Sequence, residues 1–185
     1  MSVEQLSIEM GEFKAEMAVF RDEMTAFKDE NRREARRMNE QWGTLANKMG
    51  TFVEDMVLPS FPHILERYFG ISEVDDMLAT RRKPHPADRS RRKEFDLIAW
   101  THELVFWNET KSSATISHLQ SFVEDDQSLF DYFPELSGKR LIKIASALSM
   151  PEEVIDYLTA NSCYAMVLGD ETMDLVNFAG IDERV

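Results

Sequence analysis

The sequence predicts an α/β domain, a mixed sheet with helices on its faces, preceded by a long N-terminal coiled-coil helix. Three observations carry this. In the N-terminal part, apolar residues recur at alternating spacings of three and four. From residue 44 on, short strand-like runs alternate with helical patterns. Two neighbouring strand-like runs, Glu94-Phe95-Asp96-Leu97-Ile98-Ala99-Trp100 and Val105-Phe106-Trp107-Asn108-Glu109-Thr110-Lys111, carry charge inside. Strand interiors do not accept unpaired charge without a compensating partner.

Residues 1–43 read as an oligomerisation stalk. Val3, Leu6, Met10, Phe13, Met17, Phe20, Met24 and Phe27 form a heptad a/d seam. With Val3 at a, the g positions are Glu9, Glu16, Glu23 and Glu30, and the e positions are Lys14, Arg21 and Lys28. A parallel, in-register pair sets Glu9 against Lys14, Glu16 against Arg21 and Glu23 against Lys28 of the partner helix, whereas an antiparallel pair juxtaposes like charges. The pattern therefore predicts a parallel homodimer, with a tetramer as the alternative. Met10, Phe13, Met17, Phe20, Met24 and Phe27 supply the seam, and Asn31 stands at an a position, where a polar residue fixes register.

Residues 44–185 read as one domain. A helix is expected over 44–57, stopped by Pro59, and a short one over 60–69 before Gly70. A weak strand covers 76–82, and Pro84 and Pro86 mark a loop over 83–90. Strands over 94–100 and 103–110 form an antiparallel hairpin around Thr101-His102. A helix follows over 115–132, then a strand over 140–147. Pro151, Glu152 and Glu153 open a helix to Ala160. A strand over 163–168 and a helix over 170–178 complete the order α-β-β-β-α-β-α-β-α.

Charge and composition narrow the function. No apolar run reaches the ~20 residues a bilayer span needs, and the N-terminus lacks the basic and apolar regions of a signal peptide. A cytoplasmic protein with no membrane partner is expected. A single cysteine, Cys163, excludes an intrachain disulfide framework and a cysteine-rich zinc site. The net charge of −13 argues against wholesale polyanion binding, but it is unevenly spread. Bases concentrate in Arg81, Arg82, Lys83, Arg89, Arg91, Arg92 and Lys93, next to Asp96. Such a patch steers a polyanion, so Arg81, Arg82, Lys83, Arg91, Arg92 and Lys93 are the candidate nucleic-acid contacts. The run Glu124-Asp125-Asp126 reads as a solvated helix face, and Trp107 as core.

Strand parity places Asp96, Glu109 and Lys111 on one face, with Glu94 opposite Glu109 and Asp96 diagonal to it. One ion then bridges both carboxylates. Hard oxygen ligands suit Mg²⁺ or Mn²⁺ rather than zinc. An ammonium beside a carboxylate pair suits phosphodiester hydrolysis, in which the lysine orients water or stabilises developing charge.

The stretch Phe95-Asp96 … Glu109-Thr110-Lys111 resembles the signature of the PD-(D/E)XK nuclease superfamily, with Phe95 where the family name has proline. More narrowly, the chain is similar to a group of prokaryotic proteins that join a heptad-repeat N-terminus to such a core. The carrying stretches include Trp42-Gly43-Thr44-Leu45, Gly50-Thr51-Phe52-Val53-Glu54-Asp55 and Gly169-Asp170-Glu171-Thr172-Met173. The resemblance implies a restriction-endonuclease-like core, α-β-β-β-α-β. It also implies Asp96 and Glu109 as metal ligands, Lys111 as the catalytic lysine, Glu54 as a further acid and the Thr110 carbonyl completing the shell. The expected activity is Mg²⁺-dependent endonucleolytic cleavage by a coiled-coil homodimer, with DNA as substrate and RNA second. The alternative is a catalytically silent nuclease-fold interaction or nucleic-acid-binding module that docks partners through its coiled coil. No Gln-x₃-Tyr motif follows over 115–132, so a RecB-like branch is not supported.

Overall fold

A computed structural model describes the backbone of residues 3–170 and 172–182. Within it, side chains are described at 10, 11, 13, 14, 16–34, 37, 55–170 and 172–181. The chain divides into two compact units, residues 1–46 and 47–185. Among the described residues no helix is long and apolar enough to cross a membrane.

Helix α1 is assigned over Val3–Phe69. In the first unit, Met10, Phe13, Met17, Phe20, Met24 and Phe27 are exposed, from 39% to 62%. Asn31 is exposed as well. The side chains of Val3 and Leu6, and those of 38–54, lie outside the described residues.

The second unit is built on a six-stranded mixed sheet in the order β1-β2-β3-β4-β5-β6. The strands are β1 (Asp76–Pro84), β2 (Arg92–Trp100), β3 (Leu104–Thr110), β4 (Arg140–Ser146), β5 (Cys163–Leu168) and β6 (Met173–Leu175). The β3–β4 and β4–β5 pairs are parallel and the others antiparallel. Helices cover both faces. One face carries α2 (Ile116–Val123), α3 (Ser128–Tyr132) and α4 (Glu152–Ala160) on Ile98, Val105, Trp107 and Ala145. The other carries the C-terminal part of α1 and α5 (Phe178–Asp182) on Leu97, Ala99, Phe106 and Ile144.

Several expectations are corrected. Pro59 does not end a helix; α1 runs through Pro59 and Pro62 to Phe69. Val57, Phe61, Ile64 and Leu65 form one unbroken buried stripe, and its burial outweighs the ~3 kcal/mol that a helix-interior proline costs. Both prolines face solvent.

The expected helix over 115–132 is two, broken at Glu124-Asp125-Asp126. Thr115 caps α2 by accepting the His118 N–H. The acidic run is a connection between helices rather than part of one; Glu124 and Asp126 are exposed, as expected of a solvated stretch, and Asp125 is half-buried with partners. Asp125 Oδ1 accepts the Ser128 N–H at 2.8 Å, and Asp125 Oδ2 accepts from Lys93 Nζ at 2.6 Å. Lys143 Nζ bonds the Val123 carbonyl at 2.5 Å and the Asp126 carboxylate.

The expected helix over 170–178 is instead β6, paired antiparallel with β5. Met173 and Leu175 are buried with Asp174 between them, the period of two that marks a half-buried strand. Asn177 then closes the segment, its Oδ1 accepting the Ala165 N–H and its Nδ2 donating to the Cys163 carbonyl. Cys163 is fully buried, and burial pushes its thiol up to about 12.

Candidate functional site

The β2–β3 hairpin is shifted from its expected register. Its turn is closed by the Thr101 N–H on the Leu104 carbonyl at 2.9 Å, and Thr101 Oγ1 accepts the Leu104 N–H at 3.1 Å. Lys139 Nζ clamps the carbonyls of Thr101 and His102 at 2.6 and 2.8 Å. Trp100 therefore pairs with Val105, and Leu97 with Asn108. The same register carried one residue on sets Asp96, not Glu94, across from Glu109.

Pairing between β2 and β3 ends at Leu97 and Asn108. Beyond that point β2 continues on β1 to Arg92, and β3 continues on β4 to Thr110. The two strands part where the candidate residues stand. Asp96 fills the fork: its Oδ2 accepts the Thr110 N–H at 2.7 Å, in place of a main-chain ladder bond.

Strict alternation also fails here. Phe95 joins Ile98 and Trp107 in one core, while Leu97 and Ala99 belong to the other. The β1–β2 ladder omits the pair Thr80 and Asp96, and Thr80 has φ +46°. For a β-branched residue that conformation is strained. With alternation broken, parity does not fix the face of Asp96; its carboxylate meets the β3 backbone at Thr110.

Glu109 and Lys111 do share a side of β3. Lys111 Nζ meets Glu109 Oε1 at 2.5 Å, with the two side chains 33% and 20% exposed. On the reverse side lies a buried polar chain. Thr110 Oγ1 donates to Asn108 Oδ1 at 3.0 Å, and Asn108 Nδ2 donates to the Ile144 carbonyl at 3.2 Å and to Ser146 Oγ. The Lys111 N–H donates to the Ser146 carbonyl at 2.8 Å. Asn108 and Ser146 are fully buried. They hold the end of β3 on β4, and with it Glu109 and Lys111; Asp96 is tied to that end through the Thr110 N–H. Neither was singled out from sequence as a site residue. The available signal was Asn108 and Thr110 spaced by two at a strand end, with a serine at the end of the next strand.

The donor chemistry of Asp96 and Glu109 fits a hard divalent cation. Among the described residues no group of three or more His, Cys, Asp or Glu gathers as a metal set. The side chain of Glu54 lies outside the described residues. Lys111 occupies Oε1 of Glu109, which leaves Oε2 for a cation shared by the two carboxylates, with the ammonium as a like charge beside it.

The basic residues divide. Lys83 lies over the Phe133 ring, 3.6 Å from its centroid, and pairs with Glu135 at 3.1 Å. Lys93 pairs with Asp125 and lies 4.7 Å from the Trp107 ring. Both are committed within the fold. Burial works to raise the Asp125 carboxyl, but the Lys93 ammonium and the Ser128 N–H hold it below the usual carboxylate range. Arg81, Arg82, Arg89, Arg91 and Arg92 are exposed, and none of them is in an ion pair among the described residues. Compared with protein-family models, with curated proteins and with solved structures, the chain matches none of them.

Proposed function

We propose that this protein is a metal-dependent nuclease of the PD-(D/E)XK type, with a restriction-endonuclease-like core. The observation that supports this best is the fork between β2 and β3, which brings Asp96, Glu109 and Lys111 to one strand end. Asp96 and Glu109 would hold Mg²⁺ or Mn²⁺, with the Thr110 carbonyl between them and Glu54 as the further acid. The bound ion supplies an acidified water and neutralises charge developing on a phosphodiester. Lys111, beside Glu109, would orient that water or donate to the phosphoryl oxygens. The Thr110 N–H keeps Asp96 turned into the fork, and Asn108 and Ser146 hold β3 still. The exposed arginines of 81–92 offer phosphate contacts, with DNA the preferred substrate and RNA second. The exposed Met10–Phe27 seam supports a parallel coiled-coil dimer. Two sites tied together in this way suit cleavage of both strands of a duplex.

Purified protein incubated with supercoiled plasmid and Mg²⁺ tests this reading. Nicked or linear product is expected from the wild type and not from Asp96→Ala or Lys111→Ala. Cleavage that survives both substitutions sinks the assignment.

One observation favours a second reading, a catalytically silent module that docks partners through its heptads. Lys111 and Glu109 neutralise one another in a close ion pair, a stable arrangement that needs no metal. That reading predicts no cleavage of DNA or RNA and no rise in melting temperature with Mn²⁺.

A further inference from the structure

From Arg81 and Phe95 outward, β1 and β2 leave the sheet as a two-stranded ribbon. Arg81 pairs with Phe95, Arg82 with Glu94, Lys83 with Lys93 and Pro84 with Arg92. The His85 N–H on the Arg91 carbonyl, at 2.9 Å, extends the pairing. The tip is held by Asp88 Oδ1, which accepts the Ser90 N–H at 3.0 Å and the Ser90 hydroxyl at 2.6 Å. Along this stretch β2 has no partner on its β3 side.

The ribbon's charge is opposite to that of the rest of the chain. Residues 81–94 hold seven bases and two acids, whereas the remainder holds fourteen bases and thirty-two acids. Lys83 and Lys93 tie one side of the ribbon down to Glu135 and Asp125. Arg82, Arg91 and Arg92 are left exposed.

We infer that this ribbon is the element that grips a B-form DNA duplex, resting on the nuclease reading given above. Three features select the occupant. First, exposed guanidiniums on an otherwise acidic molecule are complementary to a polyphosphate. Second, the ribbon offers no fully exposed aromatic ring. Phe95 is fully buried, and His85 is set against Tyr132 at 5.1 Å between ring centroids. Single strands are held by stacking on aromatics, so the ribbon suits a duplex. Third, the B-form major groove admits a two-stranded ribbon, whereas the A-form groove of duplex RNA is too narrow for side-chain entry. The ribbon is also rooted at Asp96. Four residues separate Asp96 from Arg92 on β2, about 13 Å at strand rise. That is roughly four base-pair steps at ~3.4 Å each, so the arginines would hold the duplex a few steps from the bond to be cut.

Binding is measured by fluorescence anisotropy on the full chain in EDTA, so that cleavage plays no part. The probes are a short labelled DNA duplex, its single strand and the duplex RNA of the same sequence. Vesicles with phosphatidylserine form a separate arm. The triple variant Arg82→Ala/Arg91→Ala/Arg92→Ala is expected to bind duplex DNA at least about tenfold more weakly at low salt. Its slope of log K against log salt should be shallower by about 2.7, near 0.9 for each phosphate that the protein no longer neutralises. The triple Arg→Lys variant should keep the slope. Unchanged affinity and slope in the alanine variant overturn the inference. So does equal or tighter binding of single strands or duplex RNA, or binding to vesicles without binding to duplex DNA. Plasmid cleavage by the wild type separates the two readings. Intact cleavage with ribbon-independent binding overturns the ribbon alone; ribbon-dependent binding without cleavage overturns the nuclease reading alone.

Discussion

Lys111 Nζ stands 2.5 Å from Glu109 Oε1, a contact that places a positive charge beside the candidate carboxylates. If Asp96 and Glu109 share a cation, the ammonium beside them repels it. Lys111→Ala should therefore have two opposite effects. Cleavage should fall by about 10²–10³, the range for removing one donor to developing charge, while Mn²⁺ binds more tightly in calorimetry. Weaker Mn²⁺ binding in that variant would show that the lysine does not repel the ion. Asn108 makes a different prediction, because it touches no candidate reacting group. Asn108→Leu strands the buried Ser146 and Thr110 hydroxyls and should lower stability by about 1–3 kcal/mol in urea unfolding. Asp125 gives a pH signature. Its carboxyl lies below the usual range when folded, so its contribution is present above the unfolded value of about 3.9 and fades as pH falls through the folded value. Asp125→Asn should be less stable than the wild type at pH 7, and the gap should close in acid. A gap that persists below both values would mean that the Lys93 pair is not its source.

Strands that are buried on both faces, and so read as continuous apolar runs, were legible in the sequence. The strands 163–168 and 140–146 stand out as apolar runs between turn signals, and the hairpin strands stand out for their misplaced charge. What was not legible depended on contacts distant in sequence. Lys139 and Thr101 set the hairpin turn, and with it a register that puts Asp96 across from Glu109. The fork at Asp96 arises because β2 stays with β1 while β3 stays with β4, which no local pattern in either strand encodes. The three candidate residues could be named, but the bond that aims Asp96 and the polar chain beneath Thr110 could not. Pro59 misled for the same reason: propensity argues for a stop, and a buried stripe running from Val57 to Leu65 overrides it. That override is measurable. Pro59 is exposed and lies within α1, so Pro59→Ala restores a backbone donor and relieves a steric clash. It should stabilise the protein by about 1–3 kcal/mol, read as a higher urea midpoint at unchanged m-value.

At the scale of the molecule, charge and apolar surface are segregated along the chain. The first unit exposes six large apolar side chains from Met10 to Phe27 at heptad spacing, and a lone helix gains nothing by presenting them to water. Burying each in a partner seam is worth ~1.5–3 kcal/mol, offset by the cost of association. The g-position Glu and e-position bases favour a parallel copy of the same chain over an unrelated helix. Light scattering after size exclusion should therefore give at least a dimer for the wild type. Phe13→Glu combined with Phe20→Glu places two carboxylates in the seam and should give a monomer. Because the second unit has its own core on both faces of its sheet, the monomer should keep its near-ultraviolet circular dichroism. The plasmid assay then distinguishes what the seam does. If two sites act together on one duplex, the monomeric variant should nick plasmid while losing direct linearisation. If it linearises as fast as the wild type, the seam serves some purpose other than pairing two cuts.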